Sequence, residues 1–142
     1  MKVITIFILM LFVSNQSQSF LSDVDDKNIQ QTKQVIGKWQ RCRTYYKEES
    51  REGNIISNVC LIINFNEDGK GNVLIGDELR LKFKWRIDRN HMIFSFDSSK
   101  EQSNFLSGIT EYDIKQYYKE DLYYLELKDP NKEVIHFLTR TR

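Results

Sequence analysis

The chain has 142 residues, 40% of them apolar and 13% aromatic. That is the length of one domain and enough apolar material for a packed core, which excludes wholesale disorder. The formal charge is +1, and the excess cation is Lys2, so the chain beyond the first segment is neutral; a general binder of nucleic acid or acidic membrane needs a one-signed surface and is argued against.

Met1-Lys2 is a minimal positive start, and Val3 to Val13 is a run of apolar residues broken only by Thr5. The run is too short to cross a bilayer, which takes roughly 20 residues. Polar SNQSQS follows, with small Ser17 and Ser19 at the third and first positions before a cleavage point. Residues 1–19 therefore read as a secretory signal peptide. No Cys stands directly after the run to carry a lipid, and no later stretch reaches spanning length, so the mature chain is expected to be exported, periplasmic or extracellular, with no transmembrane segment. Residues 20–35 come next. Ser22, three residues ahead of Asp25, resembles an N-cap, and the stretch lacks Gly and Pro, so it forms either a short helix over one end of the domain or a linker. Its apolar positions, Val24 and Ile29, are sparse.

From Ile36 onward apolar and polar residues alternate with a period near two, broken every 8 to 12 residues by turn chemistry. The clearest stretch runs from Leu79 to Ile87, where Leu79, Leu81, Phe83, Trp85 and Ile87 share one parity and Arg80, Lys82, Lys84 and Arg86 the other. A helix would scatter these residues around its circumference, so this is a strand with one buried face. Further runs over 36–47, 55–66, 70–76, 91–97, 108–118, 122–128 and 132–140 complete eight strands. Gly53, Gly69, Gly76 and Pro130 fall between runs, as turn residues do. Every link is short except 98–107. Short links make sequential antiparallel hairpins and leave no room for a helical crossover.

The pattern also sets registers. Pairing Asp88 with His91 puts Ile87, Trp85 and Phe83 against Met92, Phe94 and Phe96, whereas a one-residue slip sets Phe against the basic row. A three-residue loop at Gly76-Asp77-Glu78 sets Ile75 against Leu79 and Val73 against Leu81. A first hairpin centred on Arg51 sets Trp39 against Ile63 and Cys42 against Cys60. In an oxidising compartment those two cysteines are read as a disulfide, worth ~3 kcal/mol in the chain-entropy model, on the face opposite Trp39. The last two strands stay ambiguous, because Val134 to Leu138 is apolar on both parities. Eight meandering strands predict an all-β, eight-stranded antiparallel up-and-down barrel over 36–142, with a two-sheet sandwich as the rival.

The stretch Val35-Ile36-Gly37-Lys38-Trp39 carries a G-x-W triplet at the opening of the first strand. With Ile63 to Gly71 and Lys84-Trp85-Arg86-Ile87, it resembles the lipocalin signature and the compact bacterial lipocalin-like domains of calycin type, over about residues 33–142. The resemblance implies that Trp39 packs at the closed end of the barrel, with an Arg from the end of the last strand across its indole, either Arg140 or Arg142. It also implies a small hydrophobic or amphipathic ligand inside. The C-terminal helix of full lipocalins and their middle T-D motif have no counterpart here, which weakens a transport role more than the fold.

The interior aromatics expected from parity are Trp39, Phe65, Phe83, Trp85, Phe94, Phe96, Tyr112 and Tyr123. They form either the walls of a pocket or a solid core. Arg41 and Arg43 share the parity of Trp39. They point inward to clamp an anionic head group, with Tyr45 and Tyr112 as donors, unless a bulge or a position at the mouth turns them to water. The row Arg80, Lys82, Lys84 and Arg86 is either a solvated face, with Asp97 placed to pair with Lys82, or an anion-binding one. His91 and His136 are isolated and make no metal site. No G-x-S-x-G, H-E-x-x-H or Gly-rich phosphate loop is present, so neither an enzyme nor a cofactor is expected. The sequence thus reads as an exported barrel enclosing a small apolar or amphipathic molecule, or else as a solid barrel that meets a protein of unknown identity or an envelope component through its outer face or the 98–107 loop.

Overall fold

The computed structural model describes residues 25–48, 51–106 and 108–142. The expected signal peptide, Ser22 and Val24 lie outside them. A helix, α1, covers 25–35. Eight strands follow: β1 (Gly37–Glu48), β2 (Arg51–Phe65), β3 (Lys70–Ile75), β4 (Glu78–Asp88), β5 (His91–Ser95), β6 (Glu111–Lys119), β7 (Leu122–Lys128) and β8 (Glu133–Arg140). They close into a barrel in chain order, β8 returning to pair with β1, and every pairing is antiparallel. The barrel, rather than the sandwich, is the observed architecture. A second helix, α2 (Ser99–Ser103), lies in the long connection between β5 and β6.

Period-two burial is cleanest on β4, where Leu81, Phe83, Trp85 and Ile87 are buried and Lys82, Lys84 and Arg86 are exposed. Trp85 faces Phe94, Ile87 faces Met92 and Asp88 faces His91, the register that keeps the basic row out of the core. The turns after β4 and β6 hold Arg89 and Asn90, and Glu120 and Asp121, at positive φ, as two-residue hairpin turns require. The 76–77 link is also two residues, not three. Ile75 therefore faces Glu78 and Leu74 faces Leu79, while Val73 keeps Leu81, the shift being taken up by a bulge.

The first hairpin needs a larger correction. Trp39 faces Ile63 and Arg41 faces Leu61, but Arg43 faces Ile56 and Glu48 faces Arg51. One residue of β1, Cys42, thus stands opposite a bulge of β2 that runs from Ser57 to Cys60. The chain reverses between Glu48 and Arg51, and Gly53 lies inside β2. The Cys42–Cys60 disulfide is formed across this irregularity. β8 shifts by one residue against β1 at the same point, so the inward parity of β1 changes from Trp39 and Arg41 to Thr44.

Each end of the barrel is covered. At one end the last turn of α1 buries Val35, and its carbonyls, which no helical N–H can reach, are taken by side chains. Trp39 Nε1 donates to Val35 O at 2.7 Å, and Arg140 donates to Gln34 O at 3.4 Å and Ile36 O at 2.5 Å. Gly37 sits between them at φ +133°, where a Cβ would meet Arg140 Nη2 at 2.9 Å. The backbone therefore demands glycine, and a side chain there would also have to displace the Arg140 guanidinium. At the other end, which we call the mouth, α2 is held by a capping box between Ser98 and Glu101. The same connection lays Phe105, 1% exposed, into the barrel. Phe105 packs, with its ring tilted, against Phe94 at 4.7 Å, Phe96 at 5.3 Å and Phe83 at 5.4 Å between ring centroids. Phe83 itself lies on Gly71 of β3, where any side chain would collide with its ring and with the Asn64 carbonyl.

Candidate functional site

The barrel interior divides into two halves of different chemistry. Along β2–β5, Phe65, Phe83, Trp85 and Phe94 meet edge to face at 5.1 to 5.7 Å, with Phe105 and Tyr112 completing the cluster. Rings in contact at these spacings leave no room for a ligand between them. Along β1 and β8 the interior also carries polar groups among the buried Trp39, Val134 and Leu138. Arg41 Nη1 donates to Thr44 Oγ1 at 2.9 Å, and Thr44 Oγ1 lies 3.1 Å from His136 Nδ1. A guanidinium only donates, so the chain is completed when the Thr44 hydroxyl donates to His136 Nδ1 and the imidazole proton sits on Nε2. Burial, reinforced by the Arg41 charge, pushes the His136 pKa down to about 3; the imidazole is neutral. The Tyr112 ring packs edge-on to His136 at 6.1 Å.

Arg41 is the anomaly of this site. Burial pulls its pKa below the usual guanidinium value, opposed by Tyr46. Among the described residues no carboxylate forms an ion pair with it, and its Nε is buried with no hydrogen-bond partner. Arg41 is half-buried, and a cation withdrawn from water even in part is ordinarily paired, because its desolvation is costly.

The two arginines expected side by side are separated by the bulge at Cys42. Arg41 stays inside. Arg43 emerges on the outer face, exposed, with its guanidinium 4.0 Å from the Phe137 ring centroid. Tyr45 turns toward Glu52, 3.4 Å away. Of the expected aromatic lining, Trp39, Phe65, Phe83, Trp85, Phe94 and Tyr112 are buried inside and Phe96 is half-buried against them. Tyr123 is not inside. It is 56% exposed, because β6 and β7 run past the rim and carry it beyond the barrel end, where it meets Tyr118 at 4.8 Å. Of the two C-terminal arginines, Arg140 lies over Trp39, 5.6 Å from the ring.

Residues that parity alone overlooked are Thr44, hidden behind the bulge, and Phe105, the one large ring of a polar loop. Mixed apolarity on β8 left His136 unplaced; the observed register buries Val134, His136 and Leu138 and turns Ile135 and Phe137 outward. Two hollows of about 420 Å³ open on the outside. One lies between α1 and the β6–β7 hairpin, lined by Gln34, Gln116, Tyr118, Tyr123 and Arg140. The other lies on β3–β5. Asp97 and Lys82 both line the second, yet no ion pair joins them, contrary to the expected pairing. Among the described residues no cluster of His, Cys, Asp or Glu is placed to hold a metal ion, and no helix is long and apolar enough to cross a membrane.

No protein-family model, curated protein or solved structure matches this chain. Strand number, order and closure are compatible with a calycin-type barrel.

Proposed function

We propose that this protein is an exported lipocalin-like barrel that acts by non-covalent binding, not catalysis, and that its ligand is a small amphipathic molecule with an anionic head. The observation that carries this reading is Arg41, an inward guanidinium with no carboxylate and an unbonded Nε. An anionic head group would supply the missing charge, with Thr44 holding the guanidinium in place. The half-buried Leu61, Phe96, Leu106 and Ile109, which pack on the core, offer apolar wall for the remainder. The reading of export is supported by the leader-like first 19 residues and by the disulfide.

Displacement of a fluorescent fatty acid, with native mass spectrometry of protein purified from its source, tests the proposal. Arg41→Gln is expected to weaken binding by about 10-fold or more, the worth of a charge-assisted hydrogen bond. Absence of both a bound mass and displacement in the unaltered protein overturns it. The tight contacts of Phe105 with Phe83 and Phe94 favour a second reading in that event, a solid barrel whose outer face meets a protein or envelope component.

A further inference from the structure

We infer that the outer face of β3, β4 and β5 binds a linear acidic polysaccharide. The neutral sum of the chain conceals a one-signed strip. Arg80, Lys82, Lys84 and Arg86 project outward from β4, and alternate residues of a strand stand about 6.8 Å apart, so the row is roughly 20 Å long. Lys70 of β3 is paired directly across from Lys84. Like charges placed opposite each other destabilise a sheet, so the arrangement costs stability that an anionic partner would return.

The available carboxylates leave the centre of the strip uncovered. Asp68 takes Lys70 at 3.4 Å, Glu78 takes Arg80 at 2.5 Å, and Asp88 approaches Arg86 at 3.9 Å. Among the described residues, none pairs with Lys82 or Lys84. These two lysines border the hollow of about 420 Å³ whose other polar lining is Asn66, Lys70, Asn72, Ser95 and Asp97. Cations at strand spacing would meet the acid groups of an extended chain, while amide and hydroxyl groups meet sugar hydroxyls. The single carboxylate, Asp97, leaves the hollow with a net positive lining.

The same face disfavours the other common polyanions. Basic grooves for single-stranded nucleic acid carry aromatic side chains on which bases stack, and the only ring lining this hollow is Phe83, which is buried in the core. A lipid surface would be met by exposed apolar side chains among the cations; the outward residues of β4 from 80 to 86 are all charged, and the one exposed large apolar side chain of the strand, Leu79, stands at its end. The strip faces away from Arg41 and the interior, so it stands or falls separately from the ligand proposed there.

The test uses a labelled heparin octasaccharide in fluorescence polarisation at about 50 mM salt and at higher salt. The unaltered protein is expected to bind, and affinity to fall steeply as salt rises. Lys82→Glu with Lys84→Glu is expected to reduce affinity by about 10-fold or more. Lys128→Glu with Lys132→Glu changes the net charge equally, lies on β7 and the turn after it, and is expected to stay within about twofold. All four side chains are exposed, and circular dichroism confirms that both variants fold. Failure of the unaltered protein to bind the octasaccharide, equal losses in the two variants, or tighter binding to single-stranded DNA or to phosphatidylserine vesicles overturns the inference.

Discussion

Acidification should strike this fold first at His136. The imidazole is 2% exposed, and burial and the Arg41 charge hold its pKa at about 3, against about 6.5 for an unfolded histidine. The native state therefore keeps the neutral ring while the unfolded chain takes up a proton. Stability from this group is complete above the unfolded value and drains away as pH falls toward the folded one. Each pH unit below about 6.5 costs up to about 1.4 kcal/mol, so at pH 4.5 the loss is about 2.7 kcal/mol. Urea denaturation followed by tryptophan fluorescence at pH 7 and pH 4.5 measures it. His136→Gln keeps an acceptor for Thr44 and cannot titrate. Whatever that variant costs at pH 7, its further loss on acidification should be smaller than that of the unaltered protein by about 2 to 3 kcal/mol. Equal losses in the two proteins would show that His136 is not held neutral inside the barrel.

Removing the disulfide by Cys42→Ser with Cys60→Ser should cost about 3 kcal/mol, judged from the size of the closed loop; it reads out as a lower urea midpoint that matches that of the reduced unaltered protein. Phe105→Ala leaves a hole among Phe83, Phe94 and Phe96 and should cost about 3 to 5 kcal/mol, with uptake of an environment-sensitive apolar dye as the sign that the mouth has opened. Gly37→Ala combines backbone strain at φ +133° with intrusion on Arg140, and should cost about 1 to 3 kcal/mol in thermal or urea denaturation. A variant as stable as the parent would show that the turn from α1 into β1 is not constrained as described.

What could be read from the amino acids follows from where burial is one-sided. On β4 the inward parity is wholly apolar and the outward parity charged, so strand, face and register with β5 all follow from alternation. Cys42 and Cys60 were legible as partners for a different reason, since an 18-residue separation and export suggest a bridge. Their local geometry was not legible. A bulge inserts residues without changing composition, so alternation left open whether Arg41 and Arg43 point inward or are turned to water, and did not show that a bulge divides the two. β8 is apolar on both parities because Phe137 on its outer side is covered by Arg43, and no strand pattern announces that cover. Phe105 follows Gln, Ser and Asn in the 98–107 link, whose only other large apolar residue is Leu106, and it enters the core because α2 folds the connection back over the mouth. The choice of Arg140 over Arg142 depends on the pairing of Trp39 with Arg140 across the closure, which a sequence of hairpins read one at a time does not contain.

The bond from Arg140 to the Ile36 carbonyl joins positions 104 residues apart. The cap of the helix and the seam of the sheet are thus completed by the residues of β8, which are made after every other strand of the barrel. Until they arrive, β1 has a bare edge and the first helix has no latch. Nascent chains halted before β8 remain unsealed, because closure has to await the longest-range pairing in the sheet, β1 with β8.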